Sequence, residues 1–550
     1  MNIFILGVVV LVLAVSVLLG LAAGWGRQRV SEDYFLAGRS LPWYVVALST
    51  AGAGLGLLYL PGLAGLAYSL GISAAGLAWG NFLAFSLLAW VVLPFAYRKK
   101  LYTSGELLER RYSRPTRAIF SALVLVYLIF GVLLPALSAG GWILCEMGLG
   151  QTVQGSPGIL ATCVAAVALV TAAYTVYGGL TAAAWTSALG MLVLLAGGSM
   201  LAIMALSGAG GLSAAVQENI AVDPSRTVLL LPHSQPLLPW TGVLAFACTL
   251  SIWYFGVNPL VVQRCSGARS EWDARMGAIG GGWLQLLLGA IVAAVGLAAL
   301  VKLGPPKMTT AWAADRVYFD LARVVLGGKG LWASLGQGLV VAGLLAGVMS
   351  VVSGVMNSAA TLWCIELGQD LLRQNASEAE LIRKGRWTSL VVLLIGAVLA
   401  PPLLWWEKGI LAYILDVSAV LGPPVAVVFV VGYLWPRAHG RAAASTLVIG
   451  VIVGSLMWLA AEASPAAPDW IIPVLNRAGG SGLVSLLVML TGTVAIPQNP
   501  YELYDPDTAW SLDWARLPEE EQSQVSPLGN LVFWWGLLLV ATLGLWVAFR

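Results

Sequence analysis

The sequence has little charge. Asp, Glu, Lys and Arg together make up 10% of its 550 residues, whereas soluble globular proteins average about 25%. Hydrophobic residues make up 59% and are spread along the whole chain, which excludes a soluble domain carrying a single membrane anchor. The composition predicts an integral membrane protein with many spans, in contact with the lipid bilayer over most of its length.

Residues that bind metals or carry out redox chemistry are also scarce. The chain has two histidines and five scattered cysteines, with no CxxC pair and no metal-ligand spacing, so we expect no metal site and no disulfide framework. No span carries a paired acid and base or a nucleophile with a histidine, and we therefore expect no enzyme. With 29 basic and 26 acidic residues, nucleic acid is not an expected partner.

Charge-free apolar stretches of about 20 residues, the length of a transmembrane helix, recur about fourteen times. They lie near 5–24, 43–67, 74–97, 118–145, 158–177, 181–206, 240–258, 276–301, 332–362, 387–404, 410–435, 443–461, 480–497 and 530–549. Most lysines and arginines fall in alternate loops, and basic loops stay cytoplasmic. The pattern predicts an N-terminus outside a plasma membrane of the bacterial (inner-membrane) type.

Two of these spans are interrupted at matching positions. The second contains the glycine-rich segment Ala51–Gly56, and the seventh contains Trp253–Pro259. Irregular backbone in a membrane is tolerated only where it faces protein or a water-filled cavity, and two matched breaks indicate a transporter's midplane site. Glycines that only allow close helix packing are the alternative. The breaks lie five spans apart, which predicts two inverted five-helix repeats.

This interpretation divides the chain into five parts. They are an extra N-terminal helix (1–32), a first repeat with a cytoplasmic surface helix at Thr103–Tyr112 (33–206), an outside loop (207–239), a second repeat (240–437), and C-terminal helices (438–550). The last part includes an acidic stretch, 498–528, which we expect to be a solvated cytoplasmic linker. The fold class is thus an all-α polytopic membrane protein.

Several short motifs resemble the sodium:solute symporter family. They are DYFLAGRSLPW at 33–43, YTSGELLERRY at 102–112, YGGL at 177–180, QR at 263–264, NSAAT at 357–361 and GPP at 422–424. The resemblance covers about 33–437. It implies five-plus-five inverted repeats with one leading helix and three trailing helices, and secondary active transport of a small organic solute by alternating access.

The resemblance also implies a sodium site, and sodium is the one cofactor expected. Its oxygen ligands would be the carbonyls of Gly52, Leu55 and Gly347 and the hydroxyl of Ser350. The family's second hydroxyl is replaced by Val351. Where many members have Thr-Asp on the sodium exit path, this chain has Thr-Ser at 186–187. We therefore expect sodium coupling to be weakened or lost.

At the positions that match the family's substrate ligands, the chain has few polar side chains. The remaining polar contacts are Tyr59, Ser251, Tyr254 and Gln285, with Phe255 beside Tyr254 as an aromatic gate, whereas positions 78 and 415 are apolar. Buried hydroxyls need partners, so this set predicts a weakly polar or cationic solute rather than a sugar.

Asp416 lies several residues inside the eleventh span, where a carboxylate is costly. No basic residue is expected within any span, so the sequence predicts a carboxyl that faces the solute cavity, either protonated or bound to a cationic group. A structural acid near the outside interface is the alternative. Glu146 and Glu366 lie at helix ends, where solvated caps or loop contacts are expected.

Two functions fit these observations. The first is a secondary transporter with weak or absent sodium coupling, favoured by the helix breaks, Ser350 and the aromatic gate. The second is a carrier-like protein that has lost transport and serves as a sensor or a structural subunit of a membrane complex, favoured by the missing hydroxyl, the missing acid and the apolar cavity.

Overall fold

A computed structural model describes residues 3–24, 30–54, 56–148, 157–305, 311–328, 330–371, 377–405, 409–463, 468–496, 510–522, 526 and 529–550. Within these ranges the secondary structure is helical, without β-strands. Eleven of the helical segments are long and apolar enough to cross a membrane. The all-helical membrane class is confirmed.

The helices of the first half have the following bounds: α1 Ile3–Gly24, α2 Ser31–Leu36, α3 Trp43–Gly54, α4 Gly56–Leu70, α5 Ala75–Trp79, α6 Phe82–Leu87, α7 Leu93–Arg98, α8 Ser104–Arg111, α9 Arg114–Val126, α10 Leu134–Ile143, α11 Pro157–Gly208 and α12 Leu212–Val222. Turns of π-helix at Leu88–Val92 and Tyr127–Leu133 join α6 to α7 and α9 to α10.

The helices of the second half are α13 Trp240–Cys248, α14 Pro259–Ser266, α15 Glu271–Leu303, α16 Ala311–Leu326, α17 Leu331–Thr361, α18 Glu378–Leu399, α19 Ile410–Leu434, α20 Gly440–Ala463, α21 Val474–Ala495, α22 Leu512–Ala515, α23 Glu519–Gln522 and α24 Leu531–Ala548. A π-helical segment, Ile252–Val257, precedes α14, and another, Leu362–Leu371, follows α17.

Helix α17 is at the centre of the molecule. In the most apolar part of its span 94% of the residues are buried, compared with 17% in α24. A helix that is apolar on all sides needs protein or lipid around it, and here α11 supplies much of the protein. Glycines let the two backbones approach closely, since an added Cβ at Gly343 would lie 2.8 Å from Leu194 Cα and one at Gly190 would lie 3.0 Å from the Ala346 carbonyl oxygen.

Both predicted interruptions coincide with helix boundaries. Helix α3 ends at Gly54 and α4 begins at Gly56, while Leu55 between them lies outside the described residues. In the seventh segment Asn258 is extended (φ −62°, ψ 132°), and its side chain accepts a hydrogen bond from the Leu260 N–H at 3.0 Å. Asn258 thus caps α14 and ends the preceding π-helical segment.

Helix α11 contains a sharp kink at Gly179, within the YGGL motif. Its 52 residues would extend about 78 Å if straight, far more than the about 30 Å of a hydrocarbon core. At Gly179 the backbone has φ 55° and ψ −146°. A side chain here would be strained, and its Cβ would lie 2.4 Å from the Tyr34 carbonyl oxygen. The kink divides α11 into two segments that match the predicted stretches 158–177 and 181–206.

Two elements that the sequence predicts on the cytoplasmic side contact the rest of the protein. The helix expected at Thr103–Tyr112 is present as α8, capped by Thr103, whose hydroxyl accepts from the Glu106 N–H at 3.2 Å. No described residue of the acidic stretch is buried, and its Glu521 carboxylate accepts hydrogen bonds from the N–H groups of Glu271 (3.1 Å) and Trp272 (2.8 Å). These N–H groups are unpaired within α15, since they belong to its first turn. The role of the acidic stretch as a solvated linker stays a prediction.

Candidate functional site

At the predicted ion site, helices α3 and α17 lie close together beside the first break. A Cβ added at Gly52 would lie 3.4 Å from Ser350 Oγ and 3.6 Å from the Ser187 carbonyl oxygen. Ser350 is 1% exposed, and its hydroxyl has no hydrogen-bond partner among the described residues. An unpaired buried hydroxyl is costly, so this oxygen is available for a ligand. Gly347 lies one turn before Ser350 on the same face of α17, and Leu55 lies outside the described residues.

A buried arginine that the sequence analysis assigned to a cytoplasmic loop lies at the same site. Arg264, on α14, is 1% exposed. Its Nη1 donates to the Leu260 carbonyl oxygen at 2.7 Å, and its Nη2 lies 3.4 Å from both Ser187 Oγ and the Ser350 carbonyl oxygen. The candidate span Trp240–Val257 ends before Arg264, but the span Val474–Ala495 contains Arg477, so the expectation that no basic residue falls within a span is wrong. The QR motif was a usable signal, but hydropathy alone ends the seventh span at 258 and leaves Arg264 in the loop that follows.

A row of small and polar residues on α17 leads away from Ser350 toward the end of the helix. The row comprises Gly347, Ser350, Gly354, Asn357 and Thr361, whose spacing of three and four places them on one face. A Cβ at Gly354 would lie 2.8 Å from Arg264 Nη2, so the guanidinium packs directly against this glycine. Asn357 is 1% exposed, and its side-chain amide has no partner within the described part of the chain.

Two of the predicted solute contacts meet through a residue that the sequence analysis missed. Ser251 Oγ donates to Asn81 Oδ1 at 2.8 Å, and Asn81 Nδ2 donates to Gln285 Oε1 at 3.3 Å. All three side chains are at most 2% exposed. They join the seventh span to α15 through the segment between α5 and α6. An asparagine inside an apolar stretch was the available signal for Asn81.

The two predicted gate residues belong to a buried aromatic cluster. The hydroxyls of Tyr254 and Tyr127 both share hydrogen bonds with Ser418 Oγ on α19, the second at 3.3 Å. Phe255 packs against Phe85 with ring centroids 4.9 Å apart. The cluster therefore links the second break to α19 and to the Tyr127–Leu133 segment. Tyr59 lies in α4, and its side chain is outside the described residues.

Asp416 has a basic partner, contrary to the prediction. Arg477 of α21 forms an ion pair with it, and the two residues are 7–9% exposed. Asp416 and Ser418 are two positions apart, about 200° around α19, so the ion pair and the aromatic cluster lie on different sides of that helix. Pairing with Arg477 offsets the cost of burying the carboxylate. A direct contact between Asp416 and the solute stays a prediction.

The other two acids that the sequence analysis named, Glu146 and Glu366, differ from each other. Glu146 pairs with Arg316 at 2.9 Å, which agrees with a contact at a helix end. Glu366 is wholly buried, accepts a hydrogen bond from Ser121, and lies 3.9 Å from Arg117 Nε. A solvated cap is therefore the wrong interpretation for Glu366, because the π-helical segment after α17 turns its carboxylate into the protein.

Known proteins resemble this chain over most of its length. It is 28% identical to the sodium/glucose cotransporter of Vibrio parahaemolyticus over 446 residues, which cover 78% of each chain. It is 29% identical to the sodium/mannose cotransporter of Bos taurus over 519 residues, covering 88% of this chain and 85% of that one.

Solved structures show the same fold. A substrate-bound, outward-open Na+-coupled sialic acid symporter aligns with a TM-score of 0.72 at 19% identity, covering 90% of this chain and 98% of that chain. The nucleobase-cation-symport-1 family transporter Mhp1, in a closed conformation, aligns with a TM-score of 0.52 at 15% identity. The family model of the sodium:solute symporter family matches residues 34–450. The chain belongs to the sodium:solute symporter family.

Proposed function

We propose that this protein is a secondary transporter that moves a small organic solute across the membrane by alternating access, with sodium coupling weakened or lost. Membership in a family of symporters supports transport. The observation that carries the proposal is the set of buried polar contacts around the second helix break, Ser251–Asn81–Gln285 and Tyr254–Ser418. Such groups are expensive within a bilayer and belong to pathways or sites.

The proposed topology has fourteen spans with both termini outside a plasma membrane. Eleven helices qualify by length and composition. The remaining spans come from dividing α11 at Gly179, from joining α3 to α4 across the break, and from α18. Spans two to six and seven to eleven form the inverted repeats, and the breaks in the second and seventh spans lie at corresponding positions.

The solute site is proposed between these breaks, lined by Ser251, Tyr254, Phe255 and Gln285, with Tyr59 and Asp416 as further contacts. Asn81 adds an amide to this set. When a solute binds, its hydroxyls would replace the hydrogen bonds that Asn81 makes with Ser251 and Gln285, so no buried polar group would lose its partner. The sugar and polyol names of the relatives therefore join weakly polar and cationic solutes as candidates.

The test is uptake by the purified protein in proteoliposomes, with hexoses, myo-inositol and small amines as the panel. Each solute is measured with sodium and again with potassium outside. Gln285→Ala should reduce uptake of the transported solute at least about tenfold, because one or two buried hydrogen bonds are lost at about 1 kcal/mol or more each. Thr446→Val is the matched control, since the Thr446 hydroxyl bonds to its own helix α20.

A protein that has lost transport is the second candidate, serving as a sensor or a structural subunit of a membrane complex. It is favoured by Val351 at the second hydroxyl position and by Arg264 beside the ion site. Absence of uptake for the whole panel, together with solute binding that Gln285→Ala abolishes, would favour a sensor. Absence of both would favour a structural subunit.

A further inference from the structure

We propose that the guanidinium of Arg264 supplies the positive charge that a bound sodium ion would supply at the predicted ion site, and that its charge disfavours sodium binding there. This inference deepens the proposed function by naming what replaces the coupling ion. It concerns a residue on α14, directly after the second helix break, whose charged group lies against α17 and α11 beside Ser350, one of the residues predicted to hold sodium.

The oxygens around the guanidinium are of the types that a hard cation uses, although they are not the four predicted sodium ligands themselves. Nη2 lies 3.4 Å from the hydroxyl of Ser187 and 3.4 Å from the carbonyl oxygen of Ser350, and Nη1 donates to the carbonyl oxygen of Leu260 at 2.7 Å. All three are neutral hydroxyl or carbonyl oxygens, the ligand types that sodium-like hard ions take. The same residue, Ser350, also provides the buried hydroxyl that has no partner within the described ranges.

The charge of Arg264 is permanent and lacks an acid to balance it. Arginine stays protonated in proteins, and no carboxylate of the described residues lies within 4.0 Å of this guanidinium. Ser187, which is wholly buried, faces Nη2 at the position where the resemblance implies an aspartate in many members. A neutral hydroxyl thus stands where a carboxylate would neutralise the guanidinium.

A sodium ion at Ser350 would therefore lie beside a fixed positive charge in a buried environment. Like charges repel strongly where water is excluded, and the site has only neutral oxygens to offset two cations. Gly354 allows this arrangement, because any larger residue at that position would displace the guanidinium from α17. The expected consequence is a transport cycle in which α14 and α17 are held by the guanidinium, without a requirement for sodium.

The experiment measures sodium binding without requiring transport. The purified full-length protein is melted in detergent with sodium chloride or with an equal concentration of potassium chloride. The parent and Arg264→Lys, which keeps the charge, should melt at the same temperature in both salts. Arg264→Gln should gain a sodium-specific rise in melting temperature, since ligand that binds only the folded state stabilises it. The gain in sodium affinity should be on the order of 10- to 1000-fold.

Ser187→Asp keeps the experiment decisive if Arg264→Gln does not fold. It leaves Arg264 in place and adds a carboxylate opposite Nη2, so it should also create sodium-specific stabilisation. Adding Ser350→Ala to either variant should remove that stabilisation. Sodium-specific stabilisation of the parent that Ser350→Ala abolishes would overturn the proposal, as would no sodium response in any folded Arg264→Gln or Ser187→Asp protein. Failure of the uptake panel would overturn the proposed transport but leave these melts valid.

Discussion

Two arginines on consecutive helices, Arg264 on α14 and Arg275 on α15, are both buried, at 1% and 0% exposure, but their surroundings differ. Arg275 forms an ion pair with Glu271, donates to the carbonyl oxygens of Trp514 (2.6 Å) and Ala515 (2.8 Å), and lies over the ring of Trp90. Arg264 has only neutral oxygens. Arg275 joins the C-terminal segment to α15, whereas Arg264 lies at the predicted ion site.

The difference follows from the cost of burying a charge. An unpaired buried charge is expensive, and proteins therefore pair or neutralise it. Arg275 follows this rule. The partly buried Arg98 is also paired, because its Nε lies 2.8 Å from Glu271. Arg264 departs from it, and departures from such rules concentrate at functional sites. Arg226 is also buried among neutral oxygens, those of Asn219, Ser69 and Tyr68, so what sets Arg264 apart is its place beside the predicted ion site.

The largest effect is expected from Glu271→Gln, which leaves two arginines without their acid. Breaking a buried pair by removing one partner costs about 3–5 kcal/mol, so the melting temperature should fall sharply. Glu218→Gln, on an exposed face of α12, is the control and should melt as the parent does. Arg264→Gln should cost much less than Glu271→Gln. Equal losses in the two variants would remove the distinction between the two arginines.

A second ion pair, Arg477–Asp416, tests whether pairing also marks a structural role in α19. Asp416→Asn and Arg477→Gln should each destabilise the protein by about 3 kcal/mol. The double variant should lose less than the sum of the two, as residues in direct contact are coupled. Melting temperatures of the four proteins give the coupling, and uptake measured over a range of pH reports on solute contact. Additive losses with normal uptake would show that neither role applies.

The third prediction restores, at Val351, the hydroxyl that the resemblance implies for the sodium site. Val351→Ser alone should leave the melting temperature indifferent to sodium, because Arg264 still repels the ion. In an Arg264→Gln background the same change should raise sodium affinity about tenfold, which corresponds to about 1.4 kcal/mol. Val351→Ala provides the control without a hydroxyl. A sodium response of Val351→Ser with Arg264 intact would contradict the repulsion.

The smallest effect concerns a buried acid outside the spans, Asp315 on α16. Its carboxylate accepts a hydrogen bond from the Ile410 N–H at 2.9 Å, and burial raises its pKa from 3.8 to about 6. Because the folded pKa is the higher one, the stability linked to this group is fully present below about pH 3.8 and is lost as pH rises through about 6. Asp315→Asn should flatten the melting temperature of the protein between pH 4 and 7 relative to the parent, and an unchanged profile would contradict it.

Sequence alone was sufficient wherever the determining property is local. Stretches of about 20 apolar residues specify spanning helices because each must satisfy its own backbone in lipid. The breaks at Ala51–Gly56 and Trp253–Pro259 and the cap at Thr103 depend on neighbouring residues in the chain, so they were visible as motifs. The family motifs likewise indicated the class of transporter before any contact was known.

Partners were decided only by the tertiary structure. Asn81 meets Ser251 across 170 positions, and Asp416 meets Arg477 across 61, so no local pattern predicts either pair. Hydropathy assigned Arg264 to a loop and left Asp416 alone, because it scores each residue by its neighbours in sequence. The Arg275–Glu271 pair is local, four residues apart on α15. Whether a buried charge meets a group far away in the chain depends on how helices pack, and here packing brings Arg477 to Asp416 and leaves Arg264 among neutral oxygens.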